Sequence, residues 1–229
     1  MSNRLLITIA ILGGTGKEGK GLAFRWARAG YKIIIGSRAP EKAVAAAEEL
    51  KALLAADSAP ETFFSIQGAD NLSAAQQADI VALTVPYAAH RETLELIKEA
   101  LKGKILVDVV VPLVPPQVHK AQMPPAGSAA QEAREILGKE AEIVDAFQNI
   151  SFELLMSTDA VECDVLVTGT SKQARAEIIK LVEAAGLTGW DAGPLENASV
   201  VEGMTSLLIY MNKHYSSTHA GVKITGVKR

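Results

Sequence analysis

The sequence predicts an α/β protein of the Rossmann type, in which a doubly wound parallel sheet is followed by a small C-terminal helical extension. Segments typical of strands and helices alternate from residue 5 to residue 147, and most of the strand segments are continuously apolar. A glycine-rich loop directly follows the first strand segment. Short βα units in this order indicate a parallel sheet with helices on both faces. We expect one domain over residues 1–150 and a smaller region over residues 151–229.

The elements of the first domain follow in order along the chain. Strands are expected at residues 5–12, 31–36, 63–67, 78–85, 105–111 and 142–147. Helices are expected at residues 16–29, 41–56, 73–77, 90–101 and 128–137. Gly30 follows the first helix, where a residue with positive φ commonly ends a helix. Because right-handed crossovers bring the carboxyl ends of parallel strands to one edge, the loops after the strands should meet there.

A proline-rich segment interrupts this alternation. Residues 111–127 contain five prolines, a density that excludes a helix or a central strand. A loop of this length in a compact domain is often functional. A rigid surface excursion explains the prolines equally well. Both interpretations stay open.

The C-terminal region is predicted to add further strands and helices. The strands are expected at residues 164–168 and 188–192, and the helices at residues 171–185 and 198–213. The last helix carries an apolar face that suits either the protein core or a subunit interface. Because such faces usually find a partner, we expect a homodimer in which this region also completes the substrate site.

Composition excludes several classes of protein. The formal net charge is −3, so no broad basic surface for nucleic acid is expected. Cys163 is the only cysteine, which excludes an internal disulfide and a thiolate zinc cluster and suits the reducing cytoplasm. The first apolar run is too short to span a membrane. The four histidines are scattered without a metal-ligand spacing, so we expect no metal.

The strongest motif is a glycine-rich loop with the pattern G-x-G-x-x-G. It runs from Gly14 through Thr15, Gly16, Lys17 and Glu18 to Gly19, after a predicted strand and at the start of a predicted helix. In this context the glycines permit a tight turn, a close approach to a pyrophosphate and close helix–strand packing. The N–H groups at the helix N-terminus then favour bound phosphates. The loop predicts a dinucleotide site.

The end of the second strand indicates which dinucleotide is bound. Domains that bind NAD usually carry an acidic residue there, which accepts a hydrogen bond from the ribose 2′-hydroxyl. This chain has Ser37 and Arg38, with Lys42 one helical turn further on. A guanidinium, an ammonium and a hydroxyl suit a 2′-phosphate. The pattern therefore favours NADP over NAD, although solvated loop cations are common.

The fourth predicted strand ends in Thr84, Val85 and Pro86. These residues should lie at the same edge of the sheet, near the nicotinamide half of the dinucleotide. A plain strand-ending proline is an equally good explanation. The chain has no nucleophile elbow and no phosphate-binding loop of the nucleotide triphosphatase type.

Several motifs together resemble the NADPH-dependent coenzyme F-420 reductases, also called F-420:NADP oxidoreductases. The resemblance begins in the glycine loop and the Gly36-Ser37-Arg38 run, continues through Thr84-Val85-Pro86, and covers nearly the whole chain. Its most specific blocks are Pro-Leu-Val-Pro at residues 112–115 and Asp-Ala-Gly-Pro-Leu at residues 191–195.

The resemblance implies direct hydride exchange between NADP(H) and the 5-deazaflavin coenzyme F-420, with no obligatory catalytic residue. It assigns Ser37, Arg38 and Lys42 to the 2′-phosphate. It assigns Thr15, Lys17 and Glu18 to the pyrophosphate loop. The region where the two rings stack is then bordered by Gln148, Asn149 and Ile150.

One departure from the family pattern leaves the acceptor open. Family members often carry histidine at the position of Gln148, so the second substrate is less certain than NADP(H). Two alternatives therefore stay open. One is an NADPH-dependent reductase of a flavin, a ferric chelate or a small carbonyl. The other is a sensor that binds NADPH without catalysis.

Overall fold

The computed structural model describes residues 7–56 and 64–228. Within these residues eight strands form one sheet. They are β1 (Thr8–Leu12), β2 (Lys32–Ser37), β3 (Ile66–Asp70), β4 (Ile80–Leu83), β5 (Ile105–Asp108), β6 (Glu142–Asp145), β7 (Asp164–Gly169) and β8 (Thr188–Pro194). The predicted residues 5, 6 and 63 lie outside the described part of the chain.

Helices connect these strands and cover both faces of the sheet. They are α1 (Lys17–Arg28), α2 (Pro40–Ala56), α3 (Asn71–Gln77), α4 (His90–Ile97), α5 (Ala129–Leu137), α6 (Phe152–Met156), α7 (Lys172–Ala184) and α8 (Ala198–His214). A 3₁₀ turn at Tyr87–Ala89 leads into α4, and another at Lys98–Leu101 continues it. The predicted fold class is confirmed.

The strand order in the sheet is β3-β2-β1-β4-β5-β6-β7-β8. Strands β1 to β6 run parallel to one another. The chain first builds outward from β1 to β3 and then crosses back to β4 on the other side of β1. This reversal opens a crevice at the carboxyl ends of β1 and β4, which is where open α/β sheets bind ligands.

Strand β7 enters the sheet in the opposite direction. It pairs antiparallel with β6 and parallel with β8. The pairing of β7 with β8 shifts register between Val167 and Thr168. The sheet is therefore continuous from the first 150 residues into the C-terminal region. The division of the chain into two regions at Ile150 stays a prediction.

Two apolar clusters form the core, one on each face of the sheet. The fully buried Trp26 of α1 packs edge-to-face against Phe147, and its Nε1 donates to the carbonyl of Leu181 at 3.0 Å. The buried Arg25 donates to the carbonyls of Leu154 at 2.7 Å and Leu155 at 2.9 Å. These contacts fix α1 against α6 and α7, and thereby fix the loop that precedes α1.

The predicted element boundaries need corrections at the sheet edge. The third strand is predicted at residues 63–67 but lies at Ile66–Asp70. Its Gly68 packs closely on α2, because a Cβ atom at this position would lie 2.3 Å from the carbonyl carbon of Ala43. This close backbone packing holds the strand although few of its side chains are apolar. Strands β4 and β6 end two residues earlier than predicted and β5 ends three residues earlier, because the chain turns into loops there. Helix α6 is absent from the prediction.

Candidate active site

A cleft of about 850 Å³ lies at the carboxyl edge of the sheet. Most residues that the sequence singles out meet there. The lining includes Thr15, Gly16, Lys17, Glu18, Ser37, Arg38, Lys42, Thr84, Val85, Pro86, Gln148 and Ile150. Gly14, Gly19 and Asn149 lie behind the lining. The cleft thus joins segments that follow all six parallel strands, β1 to β6.

The glycine loop is shaped by two residues that lie behind the cleft surface. The N–H of Gly14 donates to the carbonyls of Ile11 at 3.2 Å and Gly36 at 3.1 Å, and a Cβ at Gly14 would lie 2.6 Å from the Ile11 oxygen. A Cβ at Gly19 would lie 2.6 Å from the Gly14 Cα atom and 2.7 Å from the Thr84 hydroxyl. These glycines let α1 begin directly against β1 and β4.

Helix α1 presents its N-terminus to the cleft. Gly16 is the N-cap residue, and no side chain caps the first turn. The first N–H groups of the helix are therefore available to an anion. Lys17 places its Nζ 4.6 Å from the centre of the Phe152 ring. The Oε1 atom of Glu18 is inaccessible and has no hydrogen-bond partner, and burial raises the pKa of this carboxyl to about 8.

The other end of the cleft is cationic. Arg38 and Lys42 line it beside Ser37, whose Oγ accepts a hydrogen bond from the N–H of Ala39 at 3.2 Å. This bond fixes the turn that follows β2. Glu18 is the one acidic residue among the described lining residues. An anionic group at this end therefore meets two positive side chains and no opposing carboxylate.

The segment after β4 packs against the glycine loop. The Oγ1 of Thr84 donates to the carbonyl of Leu12 at 2.9 Å, and a Cβ at Gly13 would lie 2.9 Å from a methyl carbon of Val85. Pro86 precedes the 3₁₀ turn that leads into α4. The segment therefore forms the cleft wall next to the loop, at the place that the sequence predicts.

The proline-rich segment also lines the cleft. Its contributions are Val111, Leu113, Pro115 and Val118, which continue an apolar wall begun by Val109 and Val110. The sequence leaves its role open between function and surface excursion. Its position favours a role in binding.

Three residues after β6 have different environments. Gln148 and Ile150 line the cleft, whereas Asn149 donates its Nδ2 to the carbonyl of Val201 at 3.0 Å and to the Oγ1 of Thr205 at 3.1 Å. Thr205 in turn donates to the carbonyl of Gln148 at 2.9 Å. Asn149 therefore attaches α8 to the cleft wall.

A buried polar cluster lies behind Gln148, and none of its residues is among the site residues predicted from the sequence. His90, Asp108, Asp145 and Glu202 are all fully buried. The Nε2 of His90 lies 2.8 Å from the Oδ2 of Asp108, and the two carboxylate oxygens of Glu202 accept hydrogen bonds from the N–H groups that begin α5. One sequence feature indicates the cluster: β5 and β6 both end in aspartate, and the two aspartates pair in register.

Burial and neighbouring charges shift the protonation of this cluster. Burial is the largest influence on His90 and opposes its protonation, but the carboxylates of Asp108, Glu132 and Glu202 together outweigh it and raise the pKa of the imidazole. Burial, followed by the carboxylates of Glu202 and Asp108, raises the pKa of Asp145 well above its ordinary value. Burial also raises the pKa of Glu202 to about 8, although two backbone N–H donors oppose the shift. The cluster therefore retains protons at neutral pH.

The fold and the cleft together define a class of protein. A Rossmann sheet, a glycine loop at a helix N-terminus and a cationic pocket after β2 are typical of dinucleotide-binding α/β proteins. Within the described residues, no group of three or more His, Cys, Asp or Glu side chains has the geometry to hold a metal ion. Nor does any helix among residues 7–56 and 64–228 have the length and apolar character needed to cross a bilayer.

Comparison with known proteins narrows the class to a family. The sequence model of the family described as NADP oxidoreductase, coenzyme F420-dependent, matches residues 8–112. The F420-dependent NADP reductase of Methanocaldococcus jannaschii is 40% identical over 225 residues, which cover 96% of this chain and 99% of that protein. The enzyme of the same name from Methanothermobacter marburgensis is 39% identical over 225 residues, covering 96% and 98%.

A solved structure agrees with these relatives. A crystal structure of a protein from Arthrobacter sp. FB24 superposes with a TM-score of 0.76 at 25% identity, covering 96% of this chain and 100% of that one. The chain therefore belongs to the family of F420-dependent NADP reductases and is an oxidoreductase. The resemblance seen in the sequence motifs is confirmed.

Proposed function

We propose that this protein transfers a hydride between NADP(H) and the 5-deazaflavin coenzyme F-420. The observation that carries the proposal is a single cleft that joins a cationic end to an apolar end in a chain that full-length relatives place among these reductases. The cationic end suits the 2′-phosphate of NADP(H). The apolar end suits a planar ring.

The residues fit a bound dinucleotide. Gly14 and Gly19 let α1 begin directly against β1 and β4, and Gly16 at the N-terminus of α1 lines the cleft, where the first N–H groups of the helix could bind a pyrophosphate. Thr15, Gly16, Lys17 and Glu18 would then surround the pyrophosphate. Ser37, Arg38 and Lys42 would bind the 2′-phosphate by charge-assisted hydrogen bonds.

The sheet order supports a position for each of the two reacting rings. The nicotinamide half would extend from β1 to the wall formed by Thr84, Val85 and Pro86. The acceptor ring would lie beyond it, against Val110 of the apolar wall and against the segment from Gln148 to Ile150. Asn149 would support this segment from behind.

Direct hydride transfer between two rings needs no catalytic side chain. NADPH, when bound, supplies the hydride, and the acceptor takes up the hydride together with a proton. The protein binds both rings in contact and keeps bulk water from the gap. Fixed proximity and orientation can account for ~7–11 kcal/mol of the barrier in such reactions. A nucleophile or a metal is therefore not required.

The C-terminal region has a second proposed role. Residues 151–229 would complete the acceptor site through Thr205 and form a homodimer interface through α8. The exposed apolar side chains of α8 include Val200, Leu207 and Met211. We expect a dimer by light scattering, and we expect Leu207→Glu to give a monomer. A wild-type monomer at micromolar concentration would refute the interface. The reducing cytoplasm remains the expected location.

Gln148 favours a second candidate function, in which NADPH reduces a different acceptor such as a flavin, a ferric chelate or a small carbonyl. An acceptor panel separates the candidates. Mixing the protein with NADPH and oxidised coenzyme F-420 should bleach the deazaflavin and consume NADPH in equal amounts. Turnover of a flavin or ferric chelate with no change in the deazaflavin would favour the second candidate. NADPH binding without turnover of any acceptor would indicate a sensor.

A further inference from the structure

A second pocket of about 320 Å³ lies between the proline-rich segment and the C-terminal end of α8. Its described lining consists of His119, Tyr210, Lys213 and His214. His119 is half-buried, and the other three residues are exposed. The second pocket is therefore accessible from solvent and is bounded by polar side chains, in contrast to the apolar end of the cleft.

Aromatic rings form the wall of the second pocket. The Tyr210 ring stacks on that of His214, with the ring centres 5.7 Å apart and the planes 10° apart. The centre of the His119 ring lies 6.5 Å from that of Tyr210. Tyr215 packs edge-on against His214, with the ring centres 4.7 Å apart. These contacts order a phenol hydroxyl and two imidazoles around the same space as the ammonium of Lys213.

The two segments that meet at the second pocket carry only positive charges. Residues 109–131 and 203–229 contain no aspartate or glutamate, although the whole chain has 26 acidic residues and a formal net charge of −3. Within the described residues Lys213 forms no ion pair. Ammonium, imidazole and hydroxyl donors without a carboxylate among the described lining residues suit an anion such as a phosphate.

The second pocket shares two walls with the acceptor end of the cleft. The proline-rich segment lines the cleft as far as Val118, and the next residue, His119, lines the second pocket. Helix α8 lines the cleft at Thr205 and the second pocket from Tyr210 onward. At 1.5 Å per residue, Lys213 lies about 12 Å from Thr205 along the helix axis. A ligand whose ring occupies the apolar end of the cleft can therefore extend along α8 to the second pocket.

The ammonium of the second pocket is separate from the proposed dimer face of α8. Successive residues of a helix are about 100° apart, so Lys213 lies roughly 120–160° round α8 from the three apolar residues of that face. It lies only about 80° from Gly203, where a Cβ would be 3.3 Å from the terminal methyl carbon of Met123 in the proline-rich segment. Dimer formation through that face and ligand binding at Lys213 are therefore compatible.

We propose that the second pocket binds a phosphate group that the hydride acceptor carries beyond its ring. This inference rests on the proposed function. Coenzyme F-420 carries a phosphate at the end of a five-carbon chain attached to its ring, whereas 5-deazariboflavin ends in a hydroxyl at that place. Lys213 forms an ion pair with the phosphate, and the side chains of His119 and Tyr210 donate hydrogen bonds to it.

Two ligands that differ only in this phosphate test the proposal. We would measure the Kd of 5-deazariboflavin and of its 5′-phosphate from deazaflavin fluorescence, with NADP at saturation so that the cationic end of the cleft is occupied. The wild type should bind the phosphate ester roughly tenfold more tightly at low salt. The preference should shrink towards about one in 1 M salt, because charges are then screened over about 3 Å. Equal Kd values at low salt would overturn the proposal.

Variants of exposed lysines locate the preference in the molecule. Lys213→Gln should reduce the preference for the phosphate ester from roughly tenfold to about two- to threefold. Lys213→Arg keeps the charge and should keep the preference. Lys139→Gln removes the same charge at an exposed position outside the described linings of both cavities, and it should leave the preference at the wild-type value. A full preference in Lys213→Gln, or an equal loss in Lys139→Gln, would contradict the assigned role.

These binding measurements are independent of turnover. A wild type that transfers no hydride to coenzyme F-420 refutes the proposed function, yet the titrations still show whether Lys213 recognises the phosphate of a deazaflavin. A wild type that transfers hydride but binds the two deazaflavins equally refutes the role of the second pocket alone.

Discussion

The two ends of the cleft are built in different ways. The cationic end consists of short local segments, in which Ser37, Arg38 and Lys42 lie within six residues of the chain. The apolar end combines the loop after β5, the segment after β6 and helix α8, with Gln148 joined to Thr205 across 57 residues. In the proposed function a local motif would recognise the nucleotide, whereas recognition of the acceptor would depend on long-range packing. Mutations at the cationic end should therefore change nucleotide binding, whereas mutations at the apolar end should change stability and acceptor binding.

The largest expected effect is a change in nucleotide preference when the cationic end of the cleft is mutated. Arg38→Asp removes an attraction for the 2′-phosphate and adds repulsion, so the preference for NADPH over NADH should fall by roughly a hundredfold. The Kd of each nucleotide, measured by fluorescence, gives this ratio. Lys139→Asp carries the same charge change at an exposed position outside the cleft and should leave the ratio unchanged. An unchanged ratio in Arg38→Asp would refute the assigned role.

The second effect tests the loop that both nucleotides share. Gly19→Val places a Cβ 2.6 Å from the Gly14 Cα atom, so α1 must shift away from the loop. We expect the affinity for NADPH and NADH to fall together by at least about tenfold, with their ratio preserved. Lys139→Val is the control, because it adds a β-branched side chain at an exposed position outside the cleft and should change neither affinity. A change in the ratio alone would show that the loop is not shared.

The third effect belongs to the acceptor end. Thr205→Val removes the hydroxyl that donates to Gln148 and accepts from Asn149, which should cost about 1–2 kcal/mol of stability. The KM for the acceptor should rise several-fold, while the Kd of NADPH stays constant. Steady-state kinetics give the KM for the acceptor, and a fluorescence titration gives the Kd of NADPH. Ser199→Ala, on the same helix but outside the cleft lining, should change neither quantity.

The smallest effect is a pH dependence at the nucleotide end. Glu18 is neutral below its raised pKa of about 8 and becomes charged above it. A carboxylate beside the bound phosphates repels them, so the Kd of NADPH should rise several-fold as the pH passes from 7 to 9. Glu18→Gln is isosteric and cannot ionise, so its Kd should stay flat over this range. Parallel slopes in the two proteins would exclude Glu18 as the cause.

The same contrast explains what the sequence could predict. The glycine loop and the Ser37–Arg38 run are read from neighbouring residues, and the strand and helix periods give the fold class. The direction of β7 cannot be read in this way, because a strand has the same pattern in either direction. Helix α6 has only five residues, too few for a period to appear.

The buried cluster of Asp108, Asp145 and Glu202 could be recognised only from the structure. Asp108 and Asp145 meet through the register of β5 and β6, and Glu202 joins them from a helix 57 residues after Asp145. Such long-range pairs leave little trace in a single sequence. The aspartate at the end of each strand is the one feature that points to them.

Direct hydride transfer between the two rings is the central claim, and one isotope experiment tests it. NADPH that carries deuterium at carbon 4, in the position that the enzyme transfers, would be mixed with oxidised coenzyme F-420 in ordinary water. Direct transfer predicts that NADPH and the oxidised deazaflavin disappear together and that the deuterium is recovered at carbon 5 of the reduced deazaflavin. Deuterium lost to the solvent, or NADPH that binds while the deazaflavin stays oxidised, would contradict it.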